Sequence, residues 1–218
     1  MIESALDLPL SDDSTLLREI NHRINNEFAC IIGIVTQAAG RAENEEVKAA
    51  LKRVAAVIHT LVDINHALQM PEYDTYVSAA EYLKKLCVSI SRSRLDHMKV
   101  KMVLVASPLQ LRSDHCWRLG MIVYELITNA TRHAFTNGSG EIRVELFRIG
   151  SIVECRVLDN GSAPAKVQPG RGLKIVSALA KTLAGGVEHQ FGAGGTRSIL
   201  TFPWCCEPHR GAHKRALQ

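Results

Sequence analysis

Apolar residues recur at helical spacing over the first third of the chain. At roughly 100° per residue, Leu17, Ile20, Ile24, Phe28, Ile31 and Val35 fall on one face. The stretch "SDDS" before Leu16 supplies N-cap candidates. Gly40 and the polar run "RAENEE" break the pattern. A second run of the same period follows, through Val47, Leu51, Val54, Ile58, Leu61, Val62 and Leu68, and Pro71 closes it. Two amphipathic helices with a short connection predict an antiparallel hairpin. A lone hairpin buries little apolar surface, so a second copy is expected to complete a four-helix bundle.

The pattern then changes. Residues 72–77, "EYDTYV", read as a linker, and a helix is predicted over 78–93. In "KVKMVLV" the residues Val100, Met102 and Leu104 share one face, as in a strand. A long helix is predicted over 113–134. "EIRVELF" and "IVECRVL" alternate and read as a hairpin joined by "RIGS". A helix over 172–184 and strands over 187–191 and 196–202 follow. This order, α-β-α-β-β-α-β-β, predicts a mixed sheet with helices on one face. The fold class is therefore α+β: a helical hairpin, then a two-layer α/β sandwich. The expected organisation is a hairpin at 1–70, a linker at 71–77, a second module at 78–204 and a mobile tail at 205–218.

Composition narrows the setting. No apolar run reaches the roughly 18–20 residues that span a membrane, and the acidic start "MIESALDLPLSDDS" lacks the basic region of a secretory signal. Six cysteines without CxxC spacing argue against a disulfide framework or a zinc site, and suit mostly buried, reduced thiols in a cytoplasmic protein. The net charge of +4 hides an asymmetry. Residues 1–70 hold 6 Lys/Arg against 10 Asp/Glu, while residues 71–204 hold 17 against 11. The basic second module suits an anionic ligand or simply a solvated surface. Aromatic residues are scarce and no basic stripe is interleaved with them, which argues against nucleic-acid binding.

Five stretches carry candidate chemistry. In "EINHRINNEF", His22 lies about 160° from the apolar face, with Glu19, Arg23 and Asn26 beside it. Neutral imidazole is available as a nucleophile near pH 7, although any surface histidine sits on a polar face. In "ELITNATRHAF", Glu125, Asn129 and His133 are spaced i, i+4, i+8 on one helix face. A carboxylate and an amide one turn apart can share a hydrated Mg²⁺, or can form a solvent-facing polar side. In "VLDNGSAP", Asp159 ends an apolar strand, where it could accept a hydrogen bond from an exocyclic amine; Asn-Gly is also a plain turn signal. "PGRGLKIV" sets Gly170, Gly172 and Leu173 at a helix start, where backbone amides can approach phosphate. "GAGGTRSILTF" is a glycine-rich turn that brings Thr196 into the last strand.

Each signal is modest, but their order resembles the sensor histidine kinases. The second module is similar to their Bergerat-type (GHKL) ATP-binding domain, shared with DNA gyrase and MutL. "LLREINHRINNEF" resembles the phosphoacceptor box in which Arg follows the histidine, the His-Arg-x-x-Asn pattern. The resemblance covers residues 12–204 and implies the following roles. His22 is the phosphoacceptor, with Glu19 as candidate base or orienting group and Asn26 as the box asparagine. Asn129 ligates Mg²⁺ and Glu125 holds metal-bound water, with His133 one turn on. Asp159 binds the adenine amine of ATP and Gly161 admits the base. Gly170, Gly172 and Leu173 approach the phosphates, and Thr196 lines the adenine end. Expected partners are a second copy of the chain through 12–69, a response-regulator receiver domain and a separate sensor protein.

Two departures qualify the resemblance. Ala163 stands where the family has a second glycine, and the stretch that forms the ATP lid is cut to "APAKVQP", Ala163 to Pro169. The sequence therefore also admits a second reading: a histidine phosphotransferase or response-regulator phosphatase that uses His22 without ATP.

Overall fold

The computed structural model describes residues 11–69, 75–96, 98–135, 139–162 and 170–204; of 11–18 and 20–22 it describes the helical backbone alone. The chain forms two compact units, divided between Gln69 and Met70. The tail at 205–218 lies outside the described residues.

The first unit is a pair of helices, α1 (Ser11–Arg41) and α2 (Glu45–Ala67). "SDDS" falls inside the first turns of α1 rather than ahead of it, and Gly40 stays helical; the break comes at 42–44. One glycine costs a helix only about 1 kcal/mol, too little to end a 31-residue element. Asn44 starts α2, its Oδ1 accepting from the amides of Glu46 (2.8 Å) and Val47 (3.3 Å). Glu45 and Glu46 favour the positive end of the same helix. Between the helices Ala39 and Ile64 are buried. Asn65 Nδ2 donates to Asn25 Oδ1 at 3.0 Å and ties α2 to α1 at one register. A second apolar stripe faces away: Ile31, Ile34, Val47, Val54, Val57 and Leu61 are exposed, Ile34 by 62% and Val57 by 59%.

The second unit is built on a five-stranded sheet of order β2-β4-β5-β7-β6. Its strands are β2 (Val100–Ala106), β4 (Gly140–Ile149), β5 (Ile152–Asp159), β6 (Gly186–Gly192) and β7 (Gly195–Pro203). The β2–β4 pairing is parallel and the others are antiparallel. Helices α3 (Ala79–Ile90), α4 (Ser113–His133) and α5 (Arg171–Thr182) pack against it. Alternation along the strands sorts the two faces. Ile142, Val144, Leu146, Val153, Cys155, Leu200 and Phe202 are buried. The intervening positions carry charge: Arg156 lies 3.5 Å from Glu145 across the strand pair and also bonds Glu154. Burial pushes the Cys87 and Cys116 thiols up to about 12. Among the described cysteines Cys87, Cys116 and Cys155 are buried, as the reading of mostly buried thiols expects, and Cys30 is exposed on α1.

Two short strands escape the pattern. Tyr76–Ser78, expected as linker and helix start, form β1 and pair antiparallel with β3 (Gln110–Arg112). Three-residue strands carry too little periodicity to stand out. Helix α3 begins after Ser78, whose Oγ accepts from the Glu81 amide. It runs on as a π-helical turn, Ser91–Leu95, that brings Leu95 into the core.

Helix α5 ends in a left-handed cap with an unusual residue. Ala184 has φ +52°. Its amide donates to Lys181 O, and the Gly185 amide to Ala180 O. Left-handed backbone disfavours any residue with a Cβ. Ala184→Gly is therefore expected to stabilise the unit by roughly 0.5–1 kcal/mol, read as a higher midpoint in urea unfolding of the full chain.

Candidate functional site

Helix α4 enters the core on Leu126, Ile127 and Ala130, all buried. That anchoring fixes the adjacent face, on which Glu125 and Asn129 are half-buried and His133 is exposed in the last turn. Helix α5 begins against this face. A Cβ on Gly172 would lie 3.0 Å from Glu125 Oε2 and 3.3 Å from Asn129 Oδ1. Glycine thus lets the first turn of α5 close on the two polar side chains. Gly170 is the N-cap of α5, and among the described residues no side chain caps the helix start. The first-turn amides and the helix dipole at such an end favour an anion.

Asp159 ends β5. Its Oδ1 accepts from the Gly161 amide (3.1 Å) and from the Thr196 amide (3.2 Å). No hydrogen bond engages Oδ2 among the described residues. Gly161 packs on the end of α4, where a Cβ would sit 2.3 Å from Ala134 O, and the Ser162 amide donates to that same oxygen. Gly195, with φ +118°, passes so close that a Cβ would lie 1.9 Å from Asp159 O. The Asn160 side chain accepts from the Glu141 amide at 2.7 Å and holds the turn to β4.

These elements enclose a cleft of about 480 Å³. Asn129, His133, Asp159, Gly170, Gly172, Leu173 and Thr196, all singled out from the sequence, line it. Glu125 stands behind Gly172, and Gly161 stands behind the wall on Ala134. Sequence reasoning missed the apolar walls Leu126, Ala130, Ala134 and Val157, and the floor residues Phe191 and Ser198. Only strand alternation pointed to Val157, two residues before Asp159; nothing in the sequence marked Phe191 or Ser198. The stretch Ala163–Pro169 lies outside the described residues. So do the side-chain contacts of His22, which belongs to α1 of the other unit. Its neighbour Glu19 accepts from Arg23 Nε at 2.9 Å, and Asn26 is exposed.

A half-buried cleft with an aspartate at a strand end and a helix N-terminus opposite can take a ligand with an amine-bearing flat ring and an anionic tail. Among the described residues, no three His, Cys, Asp or Glu side chains are grouped to hold a metal by themselves. No described helix is long and apolar enough to cross a membrane.

A family model described as histidine kinase (HisKA_2) matches residues 19–94. The sequence is similar to the sensor histidine kinase PdtaS of Mycolicibacterium smegmatis, 25% identical over 203 residues, covering 89% of this chain and 40% of that protein. The chain thus spans less than half the length of this relative. The fold is similar to the histidine kinase domain of the Erythrobacter litoralis EL346 blue-light activated histidine kinase, with a TM-score of 0.58 at 18% identity, covering 82% and 96% of the two chains. It is also similar to full-length ShkA in complex with AMPPNP, with a TM-score of 0.53 at 20% identity, covering 91% and 48%. The family model over the helical hairpin, the curated relative along most of the chain and the fold of the solved kinases together support a sensor histidine kinase core.

Proposed function

We propose that this chain is the catalytic core of a two-component histidine kinase that autophosphorylates His22 from Mg-ATP and passes the phosphate to a response-regulator aspartate. The observation that carries this reading is Asp159. Its Oδ1 is occupied by two backbone amides, its Oδ2 has no partner among the described residues, and it lines a cleft that Gly170, Gly172 and Leu173 at the start of α5 also line. That arrangement suits the exocyclic amine of adenine at one end and phosphates at the other. The AMPPNP in the ShkA structure, an ATP analogue, adds support from a protein of the same fold.

Mg²⁺ fits the donors present. It keeps several waters and takes one or two protein ligands beside the phosphates; Asn129 would supply an oxygen and Glu125 would hold a bound water. The ion would neutralise charge on the transferring phosphoryl group. An imidazole nitrogen of His22 attacks the γ-phosphorus, and the bond to the β–γ bridging oxygen breaks to release ADP. The phosphoimidazole then loses its ring proton. Glu19, one turn before His22, is the candidate acceptor or orienting group, though its Oε1 is engaged by Arg23. Asn26, one turn after His22, flanks the same face.

The working form is proposed to be a homodimer. Val47, Val54 and Leu61 repeat every seven residues and Val57 falls between them, an exposed seam of coiled-coil spacing on α2. A second copy of the hairpin would cover it. A receiver domain as phosphate acceptor, a separate sensor protein and a cytoplasmic setting complete the proposal.

Three measurements test it. Incubation with γ-labelled ATP is expected to give an acid-labile label that His22→Ala abolishes; undiminished label on His22→Ala would sink the assignment. In calorimetric titration, Asp159→Asn is expected to weaken Mg-ADP by at least about tenfold, the cost of a lost hydrogen bond to a charged group. A wild-type protein that phosphorylates from a phospho-receiver yet binds no Mg-ADP would instead favour the ATP-independent phosphotransferase. Val54→Glu with Leu61→Glu is expected to convert the dimer to a monomer in sedimentation equilibrium.

A further inference from the structure

The floor of the cleft holds a hydrogen-bonded pair that the proposal above leaves unused. Ser198 on β7 is 3% exposed yet lines the cleft. In the sheet it stands between Val157 on β5 and His189 on β6. By strand alternation Val157 shares a face with Asp159, and Ser198 with Thr196. Ser198 is therefore one step along the same floor from the aspartate. His189 Nδ1 lies 2.8 Å from Ser198 Oγ. The imidazole stacks on Phe191, with 5.8 Å between ring centroids and 24° between planes, and Phe191 lines the cleft as well. His189 Nε2 is buried without a hydrogen-bond partner among the described residues.

The lone Nε2 decides the tautomer. Burial holds His189 below the usual histidine range, so the ring is neutral at pH 7 and carries one N–H and one bare nitrogen. A proton on Nε2 would leave a buried N–H unpaired, which is rare and costly. A proton on Nδ1 leaves only a bare acceptor unpaired. It also makes Nδ1–H the donor to Ser198 Oγ, so the serine hydrogen must turn elsewhere. No other hydrogen bond engages Ser198 Oγ among the described residues, and the cleft is its open side.

We infer that Ser198, oriented by His189, is a base-reading residue: it offers a hydrogen-bond donor to the cleft next to the acceptor offered by Asp159. The pair matches a purine edge with an exocyclic amine beside an unprotonated ring nitrogen, which is the edge of adenine. Guanine and hypoxanthine present a carbonyl and a ring N–H there, the reverse pattern. His189 acts through Ser198 and is a positioning residue. The inference rests on the nucleotide reading of the cleft and adds how the base is selected.

Calorimetry on the full chain with Mg-ADP and with Mg-1-deaza-ADP, in which C–H replaces the ring nitrogen, tests it. Wild type is expected to prefer ADP by roughly three- to tenfold, the range of one neutral hydrogen bond. Ser198→Ala should bind the two nucleotides alike, and Ser198→Thr, which keeps the hydroxyl on a strand-favouring residue, should retain the preference. His189→Phe, which keeps a ring against Phe191, should reduce it. Nitrogen-15 NMR of the wild-type histidines should show His189 protonated at Nδ1. If ADP binds but Ser198→Ala keeps the wild-type preference, or loses both nucleotides equally, the inference falls while the nucleotide reading stands. Protonation at Nε2 also overturns it. If wild type binds neither nucleotide, the nucleotide reading falls and takes the inference with it.

Discussion

Two chain segments, the turn after β5 and the start of β7, meet at the Asp159 carboxylate, and the cleft is arranged around that meeting. One oxygen ties the turn after β5 to the first residues of β7 through two backbone amides. The approach works only because Gly195 takes φ +118° and passes over the Asp159 carbonyl without a side chain. Gly161 does the same on the other side, against the end of α4. A carboxylate whose Oδ1 accepts from two backbone amides cannot rotate freely. Its second oxygen is therefore a fixed acceptor, and the strand pairing beneath it fixes where Val157, Thr196 and Ser198 stand.

The opposite side of the cleft obeys a different constraint. Helix α4 is buried along Leu126, Ile127 and Ala130, so its register is set by packing, and Glu125 and Asn129 follow from that register. Gly172 then permits α5 to begin against them. A side chain there would crowd the ends of Glu125 and Asn129. Sheet geometry positions Asp159 and Ser198, and helix packing positions Glu125, Asn129 and the start of α5.

The long, periodic elements were legible in the sequence because burial imposes its period on them. Helix α4 and the β4–β5 hairpin fall within a residue or two of their predicted limits. The strands β1 and β3 were not legible, since three residues give no period and their pairing partners are more than thirty residues apart. Of the candidate site, the residues that break a local rule could be read: a glycine before a helix, a carboxylate at a strand end, an amide one turn from a carboxylate. Phe191 and Ser198 break no rule. They occupy ordinary strand positions and acquire meaning only when β6 and β7 pair beside β5.

The first unit shows the same distinction at a larger scale. Its helices carry two apolar stripes, and one is satisfied within the hairpin around Ala39 and Ile64. The other, Val47, Val54, Val57 and Leu61 on α2 with Ile31 and Ile34 on α1, is left exposed. Exposed apolar residues at seven-residue spacing are costly to leave in water and efficient in a helical seam. The polar tie between Asn25 and Asn65 adds register, because sliding α2 by one turn would separate the two amides and leave them part-buried without partners. In α1, Asn25 lies one turn from His22, so the contact that fixes the helix pair also fixes the height at which His22 is presented.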